Sequence, residues 1–250
     1  MIVLKTRREL DLMREACRIS ANALREAGKA VEPGVSTKEI DDVVRNYIRK
    51  QGASPSFLGY GGFPASACIS VNNVVIHGIP SKKQILKSGD IISVDVGAFI
   101  GGFHGDNAYT YACGDISKEA RALLDATKES LYEGIKQAKA GNRIGDIGNA
   151  VQSYAEARSY SVVRDFVGHG VGAKLHEDPS VPNYGTPGRG VRLMPGMTIA
   201  IEPMITAGDY AVKVLDDDWT TVTADGSLAA HFEHTIAITS DGPVIMTIPD

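Results

Sequence analysis

The sequence predicts an α+β fold of two similar αβ halves, and three observations carry that prediction. Four stretches have helical periodicity, the first two opened by capping boxes. Shifting the first pair of helices by 107 positions lays Leu24 on Leu131, Gly34 on Gly141, Ile40 on Ile147, Val44 on Val151 and Tyr47 on Tyr154 without a gap. This spacing points to an old duplication. Each helix pair is followed by runs that favour strands, with no linker or low-complexity segment between them. We therefore expect one domain over 1–250, with halves of roughly 5–115 and 116–250.

The elements follow in order. Thr6 and Glu9 form a capping box, Leu10, Met13, Cys17 and Leu24 mark the inner face of the first helix, and Gly28 is its expected stop. Ser36 and Glu39 cap a second helix with Ile40, Val43, Val44 and Tyr47 inward, ending near Gly52. A third starts at Ser117 and turns Leu123, Leu124, Leu131 and Ile135 inward; a fourth carries Ile147, Val151 and Tyr154. Ile91 to Val96 is a strand, Gly101-Gly102 a hairpin turn, and the partner strand runs through Tyr111. Met197 to Ile201 is apolar and β-favouring. His231 to Thr239 alternates, with Glu233, Thr235 and Ala237 on one face and Phe232, His234, Ile236 and Ile238 on the other. Gly185 to Gly190 reads as a loop, and Gly208 to Gly226 as a hairpin with turns at each end.

Bulk numbers exclude several classes. With 250 residues, 22% charged and 43% hydrophobic, this is an ordinary globular composition. A net charge of −4 gives no reason to expect a nucleic-acid partner. Met1-Ile2-Val3-Leu4-Lys5 is too short an apolar run for a signal peptide, and no run approaches a membrane span. Cys17, Cys68 and Cys113 are odd in number and widely spaced, which fits reduced thiols in a cytoplasmic enzyme.

Five potential metal ligands stand on strands and tight turns: Asp95, Asp106, His169, Glu202 and Glu233. Four carboxylates brought together repel one another, and a pair of divalent cations turns that repulsion into attraction. A two-residue turn at Gly101-Gly102 pairs residues whose numbers sum to 203. Asp95 then faces Ala108 and Asp106 faces Gly97, so the two aspartates are diagonal neighbours on one face. Such diagonals are ~7–8 Å apart at the backbone, and their carboxylates could hold metals ~3.5–4 Å apart. His169 lies between glycines in Val167-Gly168-His169-Gly170-Val171-Gly172, Glu202 ends a strand before Pro203, and Glu233 sits mid-strand. None of these three is specific alone.

Together their surroundings are specific. The runs Asp95-Val96-Gly97, Gly105-Asp106, Gly168-His169-Gly170-Val171-Gly172, Ile201-Glu202-Pro203-Met204 and Phe232-Glu233-His234-Thr235 resemble the type I methionine aminopeptidases. So do Cys68-Ile69-Ser70-Val71-Asn72 and His77-Gly78-Ile79-Pro80, and the resemblance spans nearly the whole chain. It implies the pita-bread fold, two pseudo-twofold-related αβ halves around a curved antiparallel sheet. It also implies a cytoplasmic, metal-dependent hydrolase that removes the initiator methionine from nascent proteins when the second residue is small.

By this resemblance Asp106 and Glu233 bridge two divalent metals, Asp95 completes the shell of one, and His169 with Glu202 the shell of the other. The metals share a water or hydroxide, the nucleophile. The donor set suits Mn²⁺, Fe²⁺ or Co²⁺ and is compatible with Zn²⁺. Glu202 also moves a proton from the attacking water to the leaving amine, His176 stabilises the developing oxyanion, and His77 donates to the scissile amide or helps place the substrate. Tyr60, Phe63, Cys68 and Trp219 match the methionine pocket. Asn72 and Val74 match a loop that in some relatives holds a monovalent cation. Leu175, Asn107 and Asn73 depart from common family residues.

The implied partners are nascent-protein N-termini and, transiently, the ribosome, with no nucleic-acid specificity, no membrane and a monomeric state; the form looks minimal and bacterial-type. Rival readings are an X-prolyl aminopeptidase or prolidase, which usually carry an extra N-terminal domain and an Asp-x-Thr-Arg-Thr segment, and a non-catalytic protein on the same fold.

Overall fold

A computed structural model describes residues 1–250. Four helices form where the periodicity predicts them: α1 Arg7–Lys29, α2 Thr37–Lys50, α3 Lys118–Gln137 and α4 Ile144–Glu156. Both capping boxes are made, Thr6 with Glu9 and Ser36 with Glu39. The end of α1 corrects the sequence expectation. The helix runs through Gly28 to Lys29. Gly28 is there for closeness: a β-carbon on it would stand 2.3 Å from the Tyr111 ring, whose hydroxyl donates to the Leu24 carbonyl at 2.9 Å.

The 107-residue repeat reaches beyond the helices. Gly34 and Gly141 both adopt left-handed backbone, at φ +95° and +97°. Thr37, the first residue of α2, shifts onto Ile144, the first of α4. Ser36 bridges to Ile85, and the same shift gives the bridge Arg143 to Arg192. Each half has its own apolar core. One gathers Ile19, Ile40, Ile69 and Ile92, the other Leu131, Ile147, Ile199 and Ile236. Tyr109 packs against both.

In the first half the strand Ile91–Ile100 lies between Ala67–Val71 and Phe103–Ala112. The hairpin register is the predicted one: Asp95 opposite Ala108, Gly97 opposite Asp106. Asp95 is also flanked by Cys68 on its other side, so it is interior to the sheet, not at an edge. In the second half Thr198–Ile201 pairs with both His234–Thr239 and Gly168–Gly170. Val212–Val214 pairs with Thr221–Thr223, the hairpin expected between Gly208 and Gly226. No helix is long and apolar enough to cross a membrane.

The halves join along Phe103–Ala112, and this join overturns one expectation. The stretch from His231 to Thr239 is not one strand; Ala229–His231 and His234–Thr239 are separated at Phe232 and Glu233. The break has a cause. The Glu233 N–H leaves its own sheet and donates to the Ala108 carbonyl at 2.9 Å. Either side of it, threonine hydroxyls replace ladder bonds. Thr235 Oγ1 donates to the Asp106 carbonyl and accepts from its N–H, and Thr110 Oγ1 does the same for His231.

Candidate active site

These registers bring the five candidate ligands to one face. Residues directly opposite each other in antiparallel pairing point to the same side. His234 pairs with Ile201 and His231 with Met204, so Glu233 between them stands opposite Glu202. One row across the sheet therefore reads Cys68, Asp95, Ala108, Glu233, Glu202. The next row reads Gly97, Asp106, Thr235, Ala200, with His169 beside Ala200, next to the Gly170–Ile199 pair. The rows are two residues apart, hence on one face. The positions between ligands are small: Ala108 and Ala200 carry no bulk above the sheet, and Gly97 lets Ser56 and Phe57 pack close, where a β-carbon would stand 2.7 and 2.8 Å from them. Asp95 and Glu202 are also related by the 107-residue shift, so equivalent positions of the two halves each carry a carboxylate.

Asp106, His169 and Glu233 each offer a ligand atom within 4.8 Å of the others. Asp95 and Glu202 lie outside that tight group but line the same cavity of about 320 Å³. His169 Nε2 is 3.8 Å from Asp106 Oδ2 and 3.5 Å from Glu202 Oε1. Its Nδ1 is 2.9 Å from the Gly170 carbonyl, so a proton on Nδ1 leaves Nε2 free to ligate. Asp95 Oδ1, Asp106 Oδ1 and Glu233 Oε1 are buried with no hydrogen-bond partner. Buried carboxylate oxygens without donors, grouped around one imidazole, fit divalent cations.

The electrostatics agree. Burial raises all four carboxyl pKa values; for Asp106, Glu202 and Glu233 neighbouring carboxylates add to it. Burial lowers His169 to about 3, His231 to about 3 and His77 to about 4. A measurable pH dependence follows for metal-stripped protein. Carboxyls raised on folding bind more protons folded than unfolded, so their stability contribution is lost as pH rises through their folded range. The depressed histidines act oppositely, raising stability with pH, but only up to their free value of ~6.5. Between about pH 6.5 and 8 the carboxyls act alone among these groups. The melting temperature of stripped protein should fall across that window in differential scanning fluorimetry, while metal-loaded protein holds level. A rise for the stripped form would contradict the charge arrangement.

The cavity also collects the histidines and pocket residues expected from sequence: His77, His176, Tyr60, Phe63, Cys68 and Trp219 all line it. His176 Nδ1 is 2.6 Å from the Tyr60 hydroxyl, and its ring meets that of His169 at 4.2 Å between centroids. His77 has φ +58°. A bulky residue held in left-handed backbone is strained, and such strain concentrates at functional positions. Its ring packs edge-on against Trp219 and Phe166, and Trp219 packs edge-on against Phe63. Leu175 is buried and lines the same wall. Sequence reasoning missed Phe57, Ile76 and Phe166, which line the cavity without any motif to mark them. It also missed His231, whose buried Nε2 has no hydrogen-bond partner and is 3.6 Å from Glu202 Oε2. A signal existed there, since the alternation read from the sequence puts His231 on the same face as Glu233, two residues on.

A carboxylate-lined centre that fits divalent cations sits between two similar αβ halves, and the model for metallopeptidase family M24 matches residues 11–240. The chain belongs to that family. Its high-identity relatives are methionine aminopeptidases. It is 55% identical to methionine aminopeptidase 1 of Bacillus subtilis over 247 residues, covering 99% of each chain. The crystal structure of a methionine aminopeptidase from Thermotoga maritima is similar at TM-score 0.97 and 48% identity, with 99% of each chain covered. A prolidase from Pyrococcus horikoshii is similar at TM-score 0.81 and 23% identity, covering 100% of this chain and 65% of that one; this likeness is one of fold. The pita-bread fold is thus the fold of this chain, and the chain is an M24 hydrolase of the methionine aminopeptidase kind.

Proposed function

We propose that this enzyme removes the initiator methionine from nascent proteins whose second residue is small, acting as one catalytic domain over 1–250. The observation that carries the proposal is the shared cavity: the five candidate metal ligands line it together with Cys68 and the aromatic side chains Tyr60, Phe63 and Trp219. An unbranched thioether suits such walls. Two divalent cations, Mn²⁺, Fe²⁺ or Co²⁺ with Zn²⁺ compatible, are held by Asp95, Asp106, His169, Glu202 and Glu233. Bound there, they supply the Lewis acidity that makes water nucleophilic near neutral pH.

The chain's own residues do the rest. Glu202 takes a proton from the attacking water and delivers it to the leaving amine. His176, held by Tyr60, donates to the oxygen that gains charge. His77 holds the scissile amide. Phe63, Cys68 and Trp219 receive the methionine side chain, with Leu175, Phe57 and Phe166 closing the wall. Asn72 and Val74 are the candidate carbonyl donors for a monovalent cation. The reading carries a cytoplasmic monomer that meets the ribosome transiently. Hydrolysis of Met-Ala-Ser against Xaa-Pro peptides tests it. Met-Ala-Ser should be preferred by at least about a hundredfold in kcat/KM; preference for Xaa-Pro would assign the prolidase-type activity instead.

A further inference from the structure

The segment before α1 reaches the catalytic loops. Lys5 is buried there, a rare state for a lysine unless it is paired. Its ammonium meets Glu177 Oε2 at 2.5 Å, with side chains 3% and 9% exposed, and also donates to the Val3 carbonyl at 3.2 Å. The Lys5 N–H is anchored on the Gly196 carbonyl at 2.7 Å. Glu177 directly follows His176, and its other oxygen accepts the Lys174 N–H at 3.1 Å, closing the turn that carries His176. The Gly172 N–H donates to the Lys174 carbonyl, and a β-carbon on Gly172 would lie 2.5 Å from Lys5 Cε and 2.6 Å from Glu177 Oε1. The ion pair therefore sits directly on the backbone linking the His169 strand to His176.

We infer that the Lys5–Glu177 pair positions His176: it is the buried fastening that sets the 172–177 turn over the scissile peptide. The inference rests on the oxyanion role given to His176 above. Neither residue lines the main cavity; both line a neighbouring one together with His169 and His176, so the pair reaches the main cavity through the turn it holds. Hydrolysis depends on donor placement to within about an ångström, and a misplacement of that size costs up to ~10²-fold.

The test is a double-mutant cycle on the metal-loaded enzyme with Met-Ala-Ser. Lys5→Met should lower kcat about tenfold or more while KM and bound metal stay near wild type. Lys5→Met/Glu177→Gln removes both charges yet keeps an acceptor for the Lys174 N–H; it guards against a Lys5→Met variant that fails to fold, because no charge is left orphaned. It should also lose kcat. In a His176→Ala background neither change should cost more, because the donor being placed is gone. Losses that add fully to that of His176→Ala, or that appear in KM or metal content, would overturn the inference. If His176→Ala itself keeps wild-type kcat, the role of His176 falls and the inference falls with it. The ¹⁵N shifts of the His176 ring give a second readout: they should move in Lys5→Met and would be unmoved if the pair only adds stability.

Discussion

Glu202→Ala should abolish turnover while leaving the fold intact. Its carboxylate is 3.5 Å from His169 Nε2 and 3.6 Å from His231 Nε2, at the end of the row that also holds Asp95 and Glu233. On the roles proposed for it, two functions leave together: a metal ligand and the group that moves the proton. General acid–base catalysis alone is worth ~10²–10⁴-fold, so a loss of at least about 10³-fold in kcat/KM is expected. The fold survives because the side chain accepts no hydrogen bond from the surrounding core; the residue's structural contact is backbone, its carbonyl accepting from Asn183 Nδ2 at 2.9 Å. Removing one of four crowded carboxyls also relieves repulsion. The melting temperature of metal-stripped Glu202→Ala at pH 8 should therefore equal or exceed that of stripped wild type. Wild-type kcat/KM in this variant would refute the role of Glu202.

Asp106→Asn is expected to do comparable damage by a different route. Asp106 belongs to the tight ligand group with His169 and Glu233, and one of its oxygens is buried without a partner. An amide in its place keeps the shape and removes the charge that would sit between two cations. Metal uptake should fall from two equivalents to at most one, measured by elemental analysis after equilibrium dialysis, and kcat/KM by at least about a hundredfold, since loss even of a residue that only supports a ligand costs ~10–100-fold in metal affinity or activity. The backbone is spared, because Thr235 Oγ1 bonds the main chain of residue 106 and not its side chain. Full two-metal uptake by Asp106→Asn would show that this residue does not bridge.

Glu202 and Asp106 illustrate what a sequence alone makes readable. Asp106 and Asp95 are joined by a two-residue turn, and turn length fixes register by counting, so their shared face is legible in the chain itself. Glu202 and Glu233 meet through pairings about thirty residues apart within the second half, Met204 with His231 and Ile201 with His234, and Glu233 reaches Asp106 only across the join between the halves. No local count predicts those contacts. The family resemblance supplies them, and the structure shows the registers behind them. The repeat holds one more clue: the shift that aligns the helices also carries Asp95 onto Glu202. The helix does not stop at Gly28 because a glycine can serve closeness instead of left-handed backbone, and the Tyr111 ring that demands it lies far along the chain. The break at Glu233 is hidden for a similar reason, since alternation continues through it while its N–H turns to another sheet. Phe166 and Phe57 carry no signal; an apolar residue facing a cavity looks like one facing a core.

The central claim is that these five side chains hold a pair of divalent cations and work through them. Metal titration of the stripped protein tests it most directly, reading hydrolysis of Met-Ala-Ser against equivalents of Mn²⁺, Fe²⁺, Co²⁺ and Zn²⁺ added. Activity should be negligible without metal, recover to saturation with no more than two equivalents bound, and be lost again on chelation. Full activity in protein shown by elemental analysis to be metal-free, or no uptake of any of the four ions, would contradict it.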